Sequence, residues 1–206
     1  MRTIYPKLGE KLIMGGNKET KAYIPASVNG RTDELLNRYY HGFKKIADAG
    51  VQQIIENPRD NAVKDMIIFP IIFNYRHFLE LLLKKYAIKY AKDKKDYEEL
   101  GKNLAHNLEF YWKRVKPILE EVYKGADFID EVAMATESYI LQFQELDNGS
   151  FTFRYPFAKG EEFAPFFEED LHIDVVHLKE RVDELYNILE YMEDQLEHNR
   201  QNEEYF

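Results

Sequence analysis

Apolar residues crowd the chain between Asp65 and Lys92, in DMIIFPIIFNYRHFLELLLKKYAIKYAK. Four polar residues interrupt the run: Asn74, Arg76, His77 and Glu80. An element apolar nearly all the way round is either a buried central helix or a membrane span. Ionisable side chains at the centre of a span are costly in hydrocarbon. The pattern therefore predicts a helix in water, starting near Asn61 and hidden by other helices. Pro70 lies inside it and predicts a kink or a fresh start.

The remaining segments supply the covering helices. Thr32, Asp33 and Glu34 form a helix start, a hydroxyl followed by acids. Leu36, Tyr39, Phe43, Ile46, Val51 and Ile54 then recur at roughly helical spacing, with Gly42 and Gly50 between them, until Asn57-Pro58 stops the helix. The charged run Lys92-Asp93-Lys94-Lys95-Asp96 reads as a solvated loop. A third helix is predicted from Asn103 to Tyr123, with Leu104, Leu108, Tyr111, Val115, Ile118 and Val122 as its seam and Gly125 closing it. Asp127 fits as the cap of a fourth, which turns Ile129, Val132, Tyr139, Phe143 and Leu146 inward.

Asp174 caps the last helix, where Val175, Leu178, Val182, Leu185, Leu189, Met192 and Leu196 repeat to about Asn199. That seam suits either packing within the bundle or a homodimer. Residues 151–167 break the helical pattern. Phe151, Phe153 and Tyr155 alternate with Thr152 and Arg154, which predicts a small β-hairpin turning at Lys159-Gly160, or an extended insert. Residues 1–30 carry Pro6, Pro25 and no sustained period, and read as an N-terminal arm, with KAYIPA a short strand or extended segment. The whole is one all-α domain over residues 31–206, an up-and-down bundle of about four to five helices.

Charge and composition narrow the functional classes. The net charge of −9 disfavours non-specific attraction to nucleic acid or anionic lipid. With no cysteine, disulfides, thiolate metal sites and cysteine nucleophiles are excluded. The N-terminus lacks a continuous apolar region of the secretory type, so a cytoplasmic protein without membrane contact is expected. Glycine-rich phosphate loops, GxSxG elbows and HExxH are all absent. Glu169 and His172 form a single ExxH, whereas a bundle di-iron site needs that element twice and further glutamates. Neither a metal nor a cofactor is expected.

The polar group in the central helix holds the candidate chemistry. Arg76, Glu80 and Lys84 share a helical face, and Asn74 and His77 lie one turn apart. One reading is a buried polar network that fixes helix register. The other is an Arg–His pair lining a cleft for phosphate or RNA, where Arg clamps an anion and His moves a proton. Arg76, His77 and His106 are the catalytic candidates, and Asn74, Arg76, His77, His106 and Arg154 the ligand-binding candidates. Arg154 among rings suits either stacking or a phosphate contact.

RHFLELLLKKYAIKY followed by HNLEFYWKRVKPIL resembles the HEPN superfamily of helical-bundle domains. Glu80, Leu83 and Lys84 match that superfamily's A-x-E-x-x-L-K helix, and His106, Asn107 and Leu108 match its His-Asp-Leu helix start, with Asn for Asp. NYRHFLEL and LDNGSFTFRYP extend the likeness to bacterial HEPN-like proteins over residues 62 to 196. The resemblance implies a four-helix core, frequently dimeric. It also implies RNA cleavage, nucleotide binding, toxin–antitoxin or phage-defence roles.

Active members carry an Arg followed about four to six residues later by a His. Here Arg76 is followed directly by His77, and Arg38 precedes His41 with two residues between. The expected function is accordingly a non-catalytic HEPN-like protein binding a nucleotide, an RNA or a protein partner. The alternatives are a divergent metal-independent endoribonuclease and a structural dimerisation module.

Overall fold

A computed structural model describes residues 13, 18–24, 32–102, 106–157 and 166–203. The chain divides into two units, Met1–Thr32 and Asp33–Phe206. In the first, residues 18–20 form a turn, and 21–24 are exposed without regular secondary structure. The rest of the KAYIPA segment, and Pro6 in the expected arm, lie outside the described residues.

The second unit is all-helical. The helices are α1 (Thr32–Glu56), α2 (Asn61–Lys89), α3 (Lys94–Lys102), α4 (Leu108–Val122), α5 (Ile129–Leu146) and α6 (Val175–Glu203). No strand occurs among the described residues. The middle of the unit is α4, which packs on α2, α5 and α6. Its buried face is Leu108, Tyr111, Trp112, Val115 and Leu119.

The central helix runs unbroken through Pro70. From Ile71 to Ala87 it is largely buried, and each enclosed Leu or Phe contributes about 1.5–3 kcal/mol. Burial is not continuous over the predicted span: Met66 and Phe69, in its first turns, are exposed. By length and composition α2 could cross a membrane, but half of its most apolar window is buried inside the bundle.

α1 approaches α2 at Gly50, where an added Cβ would lie 2.7 Å from Ile71 Cγ1. The buried face of α1 agrees with the predicted one at Val51 and Ile54 and departs from it at Tyr39 and Ile46. Tyr40, Ala47, Val51 and Ile54 face the core, while Tyr39 and Ile46 are exposed. The adjacent Tyr39 and Tyr40 made two faces equivalent by pattern. Tyr40 wins because its hydroxyl reaches Glu190 on α6.

α3 corrects the expected solvated loop. Asp93 Oδ1 accepts from Asp96 N at 2.9 Å, Leu100 is buried, and Arg114 of α4 pairs with Asp96 and Glu99. One apolar anchor and a cross-helix guanidinium hold a helix whose charges alone read as a loop. The next helix starts at Leu108, capped by Asn107, whose side chain accepts from Phe110 N. The earlier predicted start, including Leu104, falls partly in 103–105, outside the described residues. Asp127 does not cap α5; Phe128 precedes it without a side-chain bond, and a turn from Ile129 N to Ala126 O leads in.

The hairpin expected near 151–167 is not formed in its described part. Asp147 Oδ1 accepts from Phe151 N and Thr152 N, and Ser150 adopts a left-handed φ of 57°. Residues 152–154 therefore turn instead of extending, and both Arg154 N and Tyr155 N donate to Phe151 O. Lys159 and Gly160 lie outside the described residues. α6 follows the sequence closely: Asp174 Oδ1 accepts from Val176 N and His177 N, and Val182, Leu185, Leu189 and Met192 are buried.

Candidate functional site

Steps of four along α2 put Arg76, Glu80 and Lys84 on one face. Arg76 and Lys84 converge on the Glu80 carboxylate, which has no solvent exposure. Arg76 Nη1 donates to Glu80 Oε2 at 3.1 Å, and Lys84 Nζ donates to Oε1 at 2.5 Å. Arg76 is itself fully buried, and its Nη2 donates to the backbone oxygen of His106 at 2.6 Å. His106 Nδ1 lies 3.1 Å from both Glu80 oxygens. Lys84 also sits over the Tyr111 ring, 5.3 Å from its centroid.

This cluster holds the start of α4 against α2. Asn107 caps α4 directly after His106, and Leu108 N donates to Gln144 Oε1 of α5 at 2.6 Å. Gln144 Nε2 reaches on to Asn148. Three helices are thus joined by polar bonds at one point, in a place where unpaired groups would be costly. Asp147 is buried nearby and acts electrostatically on Arg76.

Charge states follow from the packing. Burial pushes the Glu80 carboxyl up, but the Lys84 ammonium, the His106 bond and the Arg76 charge outweigh it and hold the group below its ordinary range. Burial lowers the Arg76 guanidinium, opposed chiefly by Glu80. Burial also lowers His77 and favours its neutral ring.

The other candidates lie in different settings. His77 packs edge-on against Phe43, with ring centroids 4.4 Å apart, and stacks on Phe73 at 5.8 Å. Its Nδ1 is buried without a hydrogen-bond partner among the described residues. Arg154 lies over Phe73, Phe151 and Tyr155, and its Nε donates to Ser150 O. Asn74 Nδ2 donates to Pro70 O at 2.6 Å. Arg76 and His106 are therefore joined through Glu80, while Phe73 is the common ring neighbour of His77 and Arg154.

Sequence pattern missed a second polar network. Lys85 and Lys89 of α2 both donate to Glu193 of α6 at 2.5 Å. Tyr40 and Tyr86 hydroxyls donate to Glu190, and Lys44 of α1 pairs with Asp183. The one local signal is the acidic repeat Asp183, Glu190, Glu193, Glu197 beside the apolar seam of α6.

Three carboxyls, Glu80, Glu193 and Asp183, are held below their ordinary range. In each, burial opposes the shift and bonded ammonium groups prevail. A depressed folded-state value means stability that is complete above the unfolded value and lost as pH falls through the folded one. Thermal midpoints by circular dichroism should begin to slip below about pH 6.5, as the unfolded chain takes up a proton at His77 that the buried ring resists, and fall more steeply below about pH 4.3. Glu80→Gln should show a shallower acid decline; an unchanged acid profile would remove Glu80 from this account.

Among the described residues no cluster of three metal-ligating side chains occurs, and Glu169 and His172 precede α6 in non-helical chain. No family model, curated protein or solved structure matches the chain.

Proposed function

We propose that this chain is a non-catalytic HEPN-like bundle that acts by binding a protein partner in the cytoplasm, in a bacterial stress or phage-defence setting. The observation that carries the reading is the state of Arg76. It is fully buried, with Nη1 on Glu80 and Nη2 on the His106 backbone oxygen. A guanidinium placed this way serves helix register; a phosphate clamp needs its donors turned outward.

The remaining cations of the group are engaged as well. Lys84 is bonded to Glu80, and Arg154 lies over three rings. Together with a net charge of −9, this favours a protein partner over RNA or a nucleotide. Burial of Val182, Leu185, Leu189 and Met192 within the chain's own bundle supports an intramolecular role for the α6 seam over a dimer seam.

The test is incubation of the purified protein with single-stranded and structured RNA, with and without a chelator. The expected result is no cleavage above that of His77→Ala and His106→Ala variants. Cleavage abolished by either substitution would overturn the reading in favour of a metal-independent ribonuclease.

A further inference from the structure

A cleft of about 550 Å3 opens between the early turns of α2, the turn at 152–156 and the segment 166–173 that leads into α6. Its size is that of a site for a few side chains or one small ligand. Phe69, Ile72, Phe153 and Leu171 supply apolar lining. Phe69 and Leu171 are half exposed, which is unusual for large apolar groups gathered at one place. The lip carries Glu168, Glu169 and Asp170 in succession, all exposed. None of the three is paired with a cation among the described residues. Arg154, on the same lip, has its guanidinium over rings and its Nε on the Ser150 carbonyl. Among the described residues, three carboxylates against one guanidinium leave the lip negative.

We infer that this cleft receives a basic amphipathic segment of a protein partner. This deepens the reading of the chain as a binding module and rests on it. Apolar anchors of the partner fill the floor, and flanking Lys or Arg side chains meet Glu168, Glu169 and Asp170. The same acids repel phosphate, so nucleic acid and anionic lipid are disfavoured here. The residues that form the cleft are separate from the Arg76–Glu80–His106 cluster. Binding is therefore separable from the stability of that cluster.

The test uses the full chain and a labelled synthetic peptide of about 18 residues, with leucines at helical spacing and lysines elsewhere. A counterpart has glutamate in place of lysine. Fluorescence anisotropy should show saturable binding of the basic peptide only. Phe69→Ser, at an exposed position, should remain folded by circular dichroism and lose binding by about tenfold or more. Glu168→Gln with Glu169→Gln should weaken binding about tenfold and lessen its salt dependence.

Glu120→Gln with Glu121→Gln removes the same charge from an exposed part of α4 and should leave binding unchanged. No binding, equal binding of the acidic peptide, equal loss in the two Gln pairs, or indifference to Phe69→Ser would each overturn the inference. RNA cleavage lost in His106→Ala would instead overturn the non-catalytic reading, whatever the peptide does.

Discussion

Arg76→Ala should lower the unfolding free energy by about 3–5 kcal/mol, the cost of breaking a buried ion pair by removing one partner. The substitution strips Glu80 of one bond and leaves the His106 carbonyl without its donor. Lys84 and His106 still face the carboxylate, so the loss should sit toward the lower end if they tighten around it. Urea unfolding followed by circular dichroism provides the measurement. Arg76→Met should cost less than Arg76→Ala because it keeps the packed stem. A loss under about 1 kcal/mol would place Arg76 outside the fold's supports, since that is the range of surface pairs.

Leu189→Ala should destabilise by about 2–5 kcal/mol, the range for large-to-small changes in a closed core. Leu189 has no exposure and lies in the middle of the α6 seam, with Leu185 and Met192 one turn to either side. Because the seam is closed within one chain, the unfolding midpoint of both proteins should not depend on protein concentration. A midpoint rising with concentration in the parent, and lost in Leu189→Ala, would show instead that a second copy covers this face.

Much of the helical layout was legible because its signals are local. Thr32 and Asn57-Pro58 bound α1, Asp174 caps α6, and the three-four repeat of α6 marks its buried side. What was not legible depends on partners distant in sequence. Tyr40 displaces Tyr39 from the core because Glu190 lies opposite it, 150 residues away. α3 looks like a charged loop until Arg114 and the burial of Leu100 are known. Phe151, Phe153 and Tyr155 alternate like a strand, but Asp147 captures the amides that a hairpin would use.

The candidate site divides along the same line. The shared face of Arg76, Glu80 and Lys84 follows from helical spacing alone. Their fourth partner is partly a backbone oxygen, that of His106, which no side-chain pattern reveals. The adjacency of Arg76 and His77 suggested a working pair. On a helix, adjacent residues point about 100° apart, and His77 accordingly packs with Phe43 and Phe73 while Arg76 turns to Glu80. Lys85 with Glu193 was out of reach for the same reason as Tyr40 with Glu190: the pair spans 108 residues.

The claim that Arg76 and Glu80 form one internal clasp is tested most directly by a double-mutant cycle. Arg76→Met, Glu80→Gln and the combined variant would be compared with the parent in urea unfolding. Coupled burial predicts that the combined loss falls short of the sum of the single losses by about 2 kcal/mol, because each single change strands the other member of the Arg76–Glu80 pair and the double change strands neither. Single losses that simply add would contradict it, and would return Arg76 to the candidates for work outside the fold.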